Sequence, residues 1–244
     1  MRFYVFILIL TIQHLSVLAQ EEDPFANYDI YCAALLNDRE MTMMQYENFV
    51  KYYGIKDGET VADIGGAAGW KTILHVILKN MKNDFYIEDI DTACLNQKNF
   101  NKVIKWYSAQ SNEVVDDTFH FTIGDEKSTQ LPKDMFDRAI LDLTYHELTY
   151  KKEMLADISS ILKKDGVLVI AENIAKKPGK TRKDCGHDMP VEKELIDDLA
   201  SNGFKLKGKT ENRNQKALFY FEFVKILAQY SQSAIKLFFS LLSA

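Results

Sequence analysis

Apolar residues recur along the chain in two alternating patterns, short continuous runs and longer stretches with helical spacing. The short runs predict strands over residues 61–64, 85–87, 118–123, 136–143, 167–171, 204–209 and 217–224. The longer stretches predict helices over residues 38–53, 70–78, 92–107, 151–162 and 191–201. Strands that alternate with helices of about 10–15 residues indicate an α/β fold with a doubly wound, mostly parallel sheet.

Residues 1–19 have a different pattern from the rest of the chain. A short basic start precedes an unbroken apolar run over residues 3–10, and the segment ends at Ala19, where polar residues begin. This order is typical of a secretory signal peptide cleaved after Ala19, which would export the protein to the periplasm or out of the cell. An uncleaved membrane anchor is the alternative, although Gln13 and His14 interrupt an apolar stretch that is short for a span of about 20 residues.

Three further segments follow the predicted signal. Residues 20–37 form a lead-in, residues 38–224 contain the alternating elements, and residues 225–244 form a tail rich in apolar residues. The tail is compatible with an added amphipathic helix that packs on the domain, with a partner surface, or with a helix on a membrane surface. Its polar face carries few cations, which weakens the membrane interpretation of the tail.

Composition narrows the class of protein. The 244 residues are 47% hydrophobic, which is enough for a sizeable core and excludes disorder as the main state. The formal net charge of −5 argues against a nucleic-acid partner, because phosphate binding needs clustered lysine and arginine. Three cysteines are too few for a disulfide scaffold, and an odd number leaves at least one thiol without an intramolecular partner.

Candidate chemistry lies at the carboxyl ends of the first two predicted strands, where ligands bind in such sheets. The first strand runs into the turn Gly65-Gly66-Ala67-Ala68-Gly69, whose glycines let a ligand approach the backbone at the start of a helix. The second strand ends on Glu88-Asp89, where a carboxylate can accept both hydroxyls of a ribose. Asp89 follows Gly69 by 20 residues, close to the spacing expected for that role, so a nucleoside-type ligand is favoured.

The glycine pattern excludes two common nucleotide-binding motifs. The dinucleotide fingerprint G-x-G-x-x-G needs glycine at positions that Ala67 and Trp70 occupy. A phosphate-binding loop of the Walker type needs a glycine directly before the lysine, and Trp70 precedes Lys71. The ligand is therefore expected to be a nucleoside-type molecule other than the dinucleotides and nucleoside triphosphates that these two motifs bind.

Six segments together resemble the class I S-adenosylmethionine-dependent methyltransferases, in the order that this family has them. They are residues 61–69 (VADIGGAAG), 86–91 (YIEDID), 123–126 (IGDE), 136–142 (FDRAILD), 162–170 (LKKDGVLVI) and 199–204 (LASNGF). The resemblance covers about residues 38–224 and implies a Rossmann-like, seven-stranded sheet whose last strand is antiparallel. Ala67 departs from the family pattern, because it replaces the middle glycine of the first motif. The resemblance also implies S-adenosyl-L-methionine as the cofactor.

The resemblance assigns roles to residues around the glycine-rich turn. Gly65, Ala67 and Gly69 would line the methionine part of the cofactor. Asp63 would orient this turn or reach the methionine amine through water. Asp142, at the end of the fourth strand, would lie beside the sulfonium and the methionine amine.

The resemblance also assigns the acids that would hold the adenosine part. Asp89 would bind the ribose hydroxyls, with Glu88 as the alternative. Asp125 would face the adenine amine, and Glu126 would contribute through its backbone.

A general base is needed only if the methyl acceptor loses a proton in the reaction. His146 follows the fourth predicted strand, on what the resemblance implies is the substrate side, and an unperturbed histidine titrates near neutrality. The alternative is a histidine that caps or packs the next helix. His187, in the long loop over residues 173–190, is a second candidate, since such loops often cover substrates. The two histidines have no recognised metal-ligand spacing, so no metal site is expected.

Two hypotheses of different classes remain. The first is an active methyltransferase that transfers a methyl group by in-line displacement to a small molecule or an exported macromolecule. The second is an exported binding module with a methyltransferase fold and no turnover, because the methyl donor is made in the cytosol. The acids at positions 63, 89, 125 and 142 favour the first hypothesis.

Overall fold

Seven strands and five helices lie in the residues that the computed structural model describes, which are 32, 39–79, 82–111 and 119–226. The strands are β1 Thr60–Ile64, β2 Asp84–Asp89, β3 Phe119–Ile123, β4 Phe136–Asp142, β5 Leu162–Asn173, β6 Phe204–Glu211 and β7 Leu218–Lys225. The helices are α1 Arg39–Asn48, α2 Trp70–Lys79, α3 Gln97–Ser111, α4 Lys151–Ile161 and α5 Glu192–Ser201. The predicted signal peptide, most of the lead-in and the tail beyond residue 226 lie outside the described residues.

All seven strands join one sheet in the order β3-β2-β1-β4-β5-β7-β6. Strands β1 to β5 pair in parallel, whereas β7 is antiparallel to both of its neighbours, β5 and β6. The predicted doubly wound sheet with an antiparallel last strand is therefore confirmed. Its parallel register brings the carboxyl ends of β1, β2, β3 and β4 to one edge, and the candidate residues lie there.

Two apolar layers cover the two faces of the sheet, because successive residues of a strand point to opposite sides. Val61 and Ile140 pack in the layer that contains α1, α2 and α3, whereas Ile64 and Leu141 pack in the layer of α4 and α5. These central strands are buried on both faces, as expected for a parallel sheet. Among the described helices, none is both long enough and apolar enough to cross a membrane.

Helix α3 begins five residues later than the sequence pattern predicts. Asn96 caps the helix, because its side-chain oxygen accepts a hydrogen bond from the Asn99 N–H at 3.0 Å. Leu95 lies before the cap in a turn, where its N–H donates to the Asp91 carbonyl at 2.8 Å. The buried side chains of Cys94 and Leu95 extend the helical spacing into this turn, which places the predicted start too early.

Strand β5 is longer than the predicted run over residues 167–171. Pairing with β4 already begins at Leu162, and the register shifts before it resumes at Val167. Residues 163–166 therefore belong to an irregular first part of β5. At its other end β5 continues through Glu172, which is fully buried.

A disulfide bond joins Cys32 to Cys94, and Cys185 is the remaining free thiol. The Cys32 carbonyl also accepts a hydrogen bond from the Ala68 N–H at 3.2 Å. The disulfide therefore fixes a residue of the lead-in against the glycine-rich turn. The cysteine count predicted one unpaired thiol but gave no indication of which two residues would pair.

Candidate active site

A tight turn between β1 and α2 forms the centre of the candidate site. Gly65 and Gly69 have φ angles of +67° and +71°, which residues with side chains rarely adopt. A Cβ atom at position 65 would lie 2.4 Å from Thr144 Cγ2, and one at position 69 would lie 2.9 Å from Ile87 Cγ1. Both the backbone conformation and the lack of space therefore require glycine at these two positions.

Ala67 occupies the middle of the turn with a φ of +50°. Such a left-handed conformation costs a non-glycine residue about 1–2 kcal/mol. The Ala67 N–H donates to Asp89 Oδ2 at 2.7 Å, and the Asp91 N–H donates to Asp89 Oδ1 at 2.8 Å. Burial raises the pKa of Asp89 despite these hydrogen bonds. Asp89 thus ties the end of β2 to the turn, in addition to its predicted role toward a ribose.

Glu88 precedes Asp89 and is almost completely buried, beneath Gly124 at the end of β3. Its Oε1 atom has no hydrogen-bond partner among the described residues. Burial, and after it the negative charge of Asp89, raises the pKa of Glu88 to about 8. A buried acceptor without a partner is costly to the fold, so Glu88 is a candidate for direct contact with a ligand.

Asp125 and Glu126 are exposed at the rim of the site, just after β3. Asp125 Oδ1 accepts hydrogen bonds from the N–H groups of Lys127 and Ser128 at 2.8 and 3.0 Å, and Oδ2 accepts one from Gln130 at 3.1 Å. These contacts, that of Lys127 first, lower the pKa of Asp125. Asp125 therefore stabilises the turn that holds both acids at the rim.

Two acids and a lysine meet on the other side of the glycine-rich turn. Asp63 is buried and accepts a hydrogen bond from the Thr72 hydroxyl at 3.0 Å, while burial and the charge of Asp142 raise its pKa to about 7. Asp142 accepts hydrogen bonds from the Tyr53 hydroxyl and from the Lys71 ammonium group. On this side of the site, acidic side chains and the positively charged Lys71 therefore lie next to each other.

Along this edge of the sheet, described residues line two cavities. The first, of about 150 Å³, lies between the ends of β2 and β3 and the segment after β4. The second, of about 130 Å³, lies between the turn and the Lys71–Asp142 pair. Gly65 lines both cavities, and every predicted cofactor residue except Gly69 lines one or the other. The structure thus brings eight of the nine predicted residues into one continuous region.

His146 lies beside this region but lines neither cavity. Its ring is buried, with Nδ1 2.8 Å from Glu172 Oε2 and Nε2 3.5 Å from Cys185 Sγ. The next residue, Glu147, does line the first cavity. The general-base role of His146 stays a prediction, and the structure adds two close partners that the sequence pattern did not indicate.

The loop between β5 and α5 folds back on itself and places Cys185 against His146. The Ala175 N–H donates to the Pro190 carbonyl at 2.9 Å, and the Met189 N–H donates to the Lys180 carbonyl at 2.8 Å. His187, the second candidate base, has its ring centre 6.1 Å from that of His146. The two candidate histidines are therefore neighbours, although 40 residues of sequence lie between them.

Four functional candidates were missed by the sequence patterns, namely Lys71, Tyr53, Glu172 and Cys185. Glu172 carries the clearest signal, because it is an acid that directly follows the apolar run over residues 167–171 near the carboxyl end of β5. Lys71 lies in the first turn of α2, directly behind the glycine-rich turn. Tyr53 and Cys185 come from distant segments, so no local pattern links them to the site.

Solved structures provide an independent comparison. A SAM-dependent methyltransferase from Aquifex aeolicus superposes with a TM-score of 0.59 and 20% identity, over 78% of this chain and 99% of that chain. The chain has the class I methyltransferase fold. The 1,6-didemethyltoxoflavin-N1-methyltransferase of Burkholderia thailandensis, solved with 1,6-didemethyltoxoflavin and S-adenosylhomocysteine, has a TM-score of 0.53 and 16% identity, over 77% of this chain and 76% of that chain.

Members of this methyltransferase fold do not share one reaction. The 4+2 cyclase SpnF also superposes on the chain, with a TM-score of 0.54 and 18% identity, over 72% of this chain and 60% of that chain. No protein-family model and no curated protein matches the sequence. The reaction must therefore be argued from the site, since one fold serves several chemistries.

Proposed function

We propose that this protein binds S-adenosyl-L-methionine along the carboxyl edge of β1, β2 and β4 and catalyses methyl transfer to a small-molecule acceptor. The observation that carries the proposal is the pair of cavities that adjoin at Gly65. When bound, the cofactor supplies a methyl group on a positively charged sulfonium. Such a donor is already reactive, so the main task of the chain is to position donor and acceptor.

The first cavity suits the adenosine half of the cofactor. Ribose hydroxyls are hydrogen-bond donors, and Glu88 Oε1 is a buried acceptor that lacks a partner among the described residues. Asp89 lines the same cavity and is the residue that the family resemblance assigns to the ribose. The Ile90 side chain is 53% exposed in this lining and offers an apolar surface for the adenine ring.

The second cavity suits the amino-acid half of the cofactor, which carries an ammonium and a carboxylate. Asp63 and Asp142 supply negative charge for the ammonium and the sulfonium, and Lys71 supplies positive charge for the carboxylate. Charge-assisted hydrogen bonds of this kind are stronger than neutral ones. A cavity with both signs of charge therefore matches a zwitterion better than it matches a simple anion or cation.

A small-molecule acceptor and an exported location complete the proposal. The Burkholderia neighbour, whose name gives 1,6-didemethyltoxoflavin as its substrate, supports an acceptor of small size.

The Cys32–Cys94 disulfide supports export, because disulfides persist in oxidising compartments and are rare in the cytosol. The competing hypothesis, an exported module without turnover, differs in one observable property, since such a module would transfer no methyl group.

The ribose contact is testable with a pair of ligands. We expect wild-type protein to bind S-adenosylhomocysteine about 10–100-fold more tightly than its 2′,3′-dideoxy analogue, because the acids lose their hydroxyl partners. Asp89→Ala should reduce this preference to the part that Glu88 contributes, as measured by calorimetry with both ligands on each protein. An undiminished preference in Asp89→Ala would transfer the whole ribose contact to Glu88. No binding of either ligand by the wild-type protein would reject the proposed function.

The carboxylate contact of Lys71 is tested separately. We expect Lys71→Met to weaken S-adenosylhomocysteine binding roughly 10–100-fold, the usual effect of losing a hydrogen bond to a charged group. Binding of 5′-methylthioadenosine, which lacks the amino-acid carboxylate, should stay unchanged. Lys79→Met is the matched control, because Lys79 lies on the same helix with its ammonium 4.5 Å from the centre of the Tyr46 ring. Equal losses for both ligands would contradict the assignment of Lys71.

A further inference from the structure

We propose that His146, Glu147 and Cys185 bind a divalent transition-metal ion, with zinc as the best match. One ligand atom from each side chain (a ring nitrogen, a carboxylate oxygen and Sγ) lies within 4.8 Å of the other two. The three residues come from two places in the fold, the 3₁₀ turn Tyr145–Glu147 after β4 and the loop before α5. Metal binding by this cluster does not rest on the proposed methyl transfer.

Two distances within the cluster match tetrahedral coordination. Ligand atoms held about 2.0–2.3 Å from a tetrahedral zinc ion lie roughly 3.3–3.7 Å from one another. His146 Nε2 is 3.5 Å from Cys185 Sγ and 3.6 Å from Glu147 Oε1, and both separations fall in that interval. The ligand atoms of Glu147 and Cys185 lie within 4.8 Å of each other, and both side chains are exposed, so they are free to close on an ion held by His146.

Glu172 orients His146 for this role. Glu172 Oε2 is 2.8 Å from His146 Nδ1 and also accepts the His146 backbone N–H at 3.2 Å, while Oε1 accepts the Asn173 N–H at 2.8 Å. This network assigns the proton of a neutral imidazole to Nδ1, which leaves the Nε2 lone pair directed at the cluster. A carboxylate behind a histidine in this way is the usual outer shell of a metal ligand.

The arrangement leaves two acceptors facing each other. The lone pair of His146 Nε2 and the Glu147 carboxylate are 3.6 Å apart, and the Cys185 thiol has only one proton to share between them. A cation between the imidazole nitrogen, the carboxylate and the thiolate would accept a lone pair from each of them. The thiolate and imidazole donors select zinc or a similar first-row metal over calcium and magnesium, which prefer oxygen ligands.

The location of the cluster connects it to the candidate active site. Glu147 also lines the first cavity, and both Glu147 and Cys185 are exposed, so an ion has access from solvent. Three protein ligands leave a fourth position for water or a substrate atom, as in catalytic zinc sites. Metal ligation and the predicted base role of His146 exclude each other, because a ligating Nε2 has no lone pair left for a proton.

The metal itself is the probe for the first experiment. The full chain, treated with a chelator under non-reducing conditions, is titrated with Co²⁺ and then with Zn²⁺. We expect a thiolate-to-cobalt charge-transfer band that zinc displaces. Cys185→Ser should lose the band and bind zinc at least about tenfold more weakly, and Glu172→Gln should weaken zinc binding about 10–100-fold, as outer-shell changes do. His120→Ala, an exposed histidine on β3, is the matched control and should bind like wild type.

Thiol alkylation gives a second readout on wild-type protein, so the test does not depend on a variant that folds. Cys32 and Cys94 form a disulfide, so N-ethylmaleimide under non-reducing conditions reports on Cys185 alone. Zinc should slow this alkylation at least about tenfold, because a metal-bound thiolate is shielded from the reagent. Alkylation that is unaffected by zinc, or a Cys185→Ser variant that binds zinc as tightly as wild type, would overturn the proposal. Either result would instead identify the His146–Cys185 contact as a simple thiol–imidazole pair.

Discussion

Gly65→Ala is expected to abolish S-adenosylhomocysteine binding and to lower the free energy of unfolding by about 2–4 kcal/mol. Two causes add together at this position. The φ of +67° is unfavourable for alanine, and the new Cβ would lie 2.4 Å from Thr144 Cγ2 and 2.6 Å from Thr144 Oγ1. Relief of that overlap must move the glycine-rich turn, which lies between the two cavities. Binding is lost because both cavities then change shape.

A matched glycine separates the two causes. Gly179 has a φ of +79°, and a Cβ there would meet nothing within 4 Å. Gly179→Ala should therefore show only the backbone cost of about 1–2 kcal/mol and bind the ligand normally. Adding Thr144→Ala to Gly65→Ala should recover part of the stability, because it removes the two nearest atoms. Urea unfolding and calorimetry measure both effects, and a Gly65→Ala protein with wild-type affinity would show that the turn does not contact the ligand.

Glu88→Gln is expected to change how stability depends on pH more than any other single substitution. Burial raises the pKa of Glu88 from 4.5 to about 8 in the folded state. Between these values the folded protein keeps a proton that the unfolded chain has lost, so the free energy of unfolding falls as pH rises. Asp63, with a pKa raised to about 7 mainly by burial, adds an effect of the same sign over a lower range.

The raised pKa values of Glu88 and Asp63 lower the unfolding free energy of the wild-type protein by about 6 kcal/mol from pH 5 to pH 8. Burial lowers the pKa of His75 to about 4, which acts in the opposite direction and leaves an expected net loss of about 4 kcal/mol. Glu88→Gln should lose about 3–4 kcal/mol less over the same range, since its amide does not titrate. Urea unfolding at several pH values measures both. Glu126→Gln is the control, because that acid lines the same cavity but is exposed, and it should follow the wild-type profile. Identical slopes for wild type and Glu88→Gln would show that Glu88 is ionised in the fold.

These two carboxylates also set an expectation for ligand binding. A sulfonium and an ammonium favour ionised acids around them, so a cationic ligand is expected to bind more tightly as pH rises through 7. An acid that is costly in the free protein and satisfied in the complex is a common property of functional sites. The instability of buried Glu88 is therefore consistent with a role in binding rather than in folding.

Much of the fold follows from local patterns in the sequence. The apolar runs predicted the positions of all seven strands. The glycine-rich turn predicted the end of β1 and the start of α2. The predicted start of α3 was wrong because the buried residues before Asn96 continue the helical spacing, and only the cap decides the boundary. The predicted start of β5 at residue 167 was too late, because pairing with β4 begins at Leu162 and continues past an irregular register.

The site was accessible from the sequence only where its residues follow strand ends. The acids at positions 63, 89 and 142 lie at or next to the last residue of their strands, and they line the two cavities. Lys71 and Tyr53 reach Asp142 through the packing of distant elements, as Cys185 reaches His146. Such contacts depend on how loops and helices pack on the sheet, and no spacing within the chain encodes them.

A crystal structure of the protein with S-adenosylhomocysteine would locate the ligand directly. We expect the adenosine half between Glu88 and Asp125, the amino-acid half beside Lys71 and Asp142, and the sulfur next to Gly65, where the two cavities adjoin. A ligand bound anywhere else, or its absence from both cavities at saturating concentration, would contradict the proposed binding site.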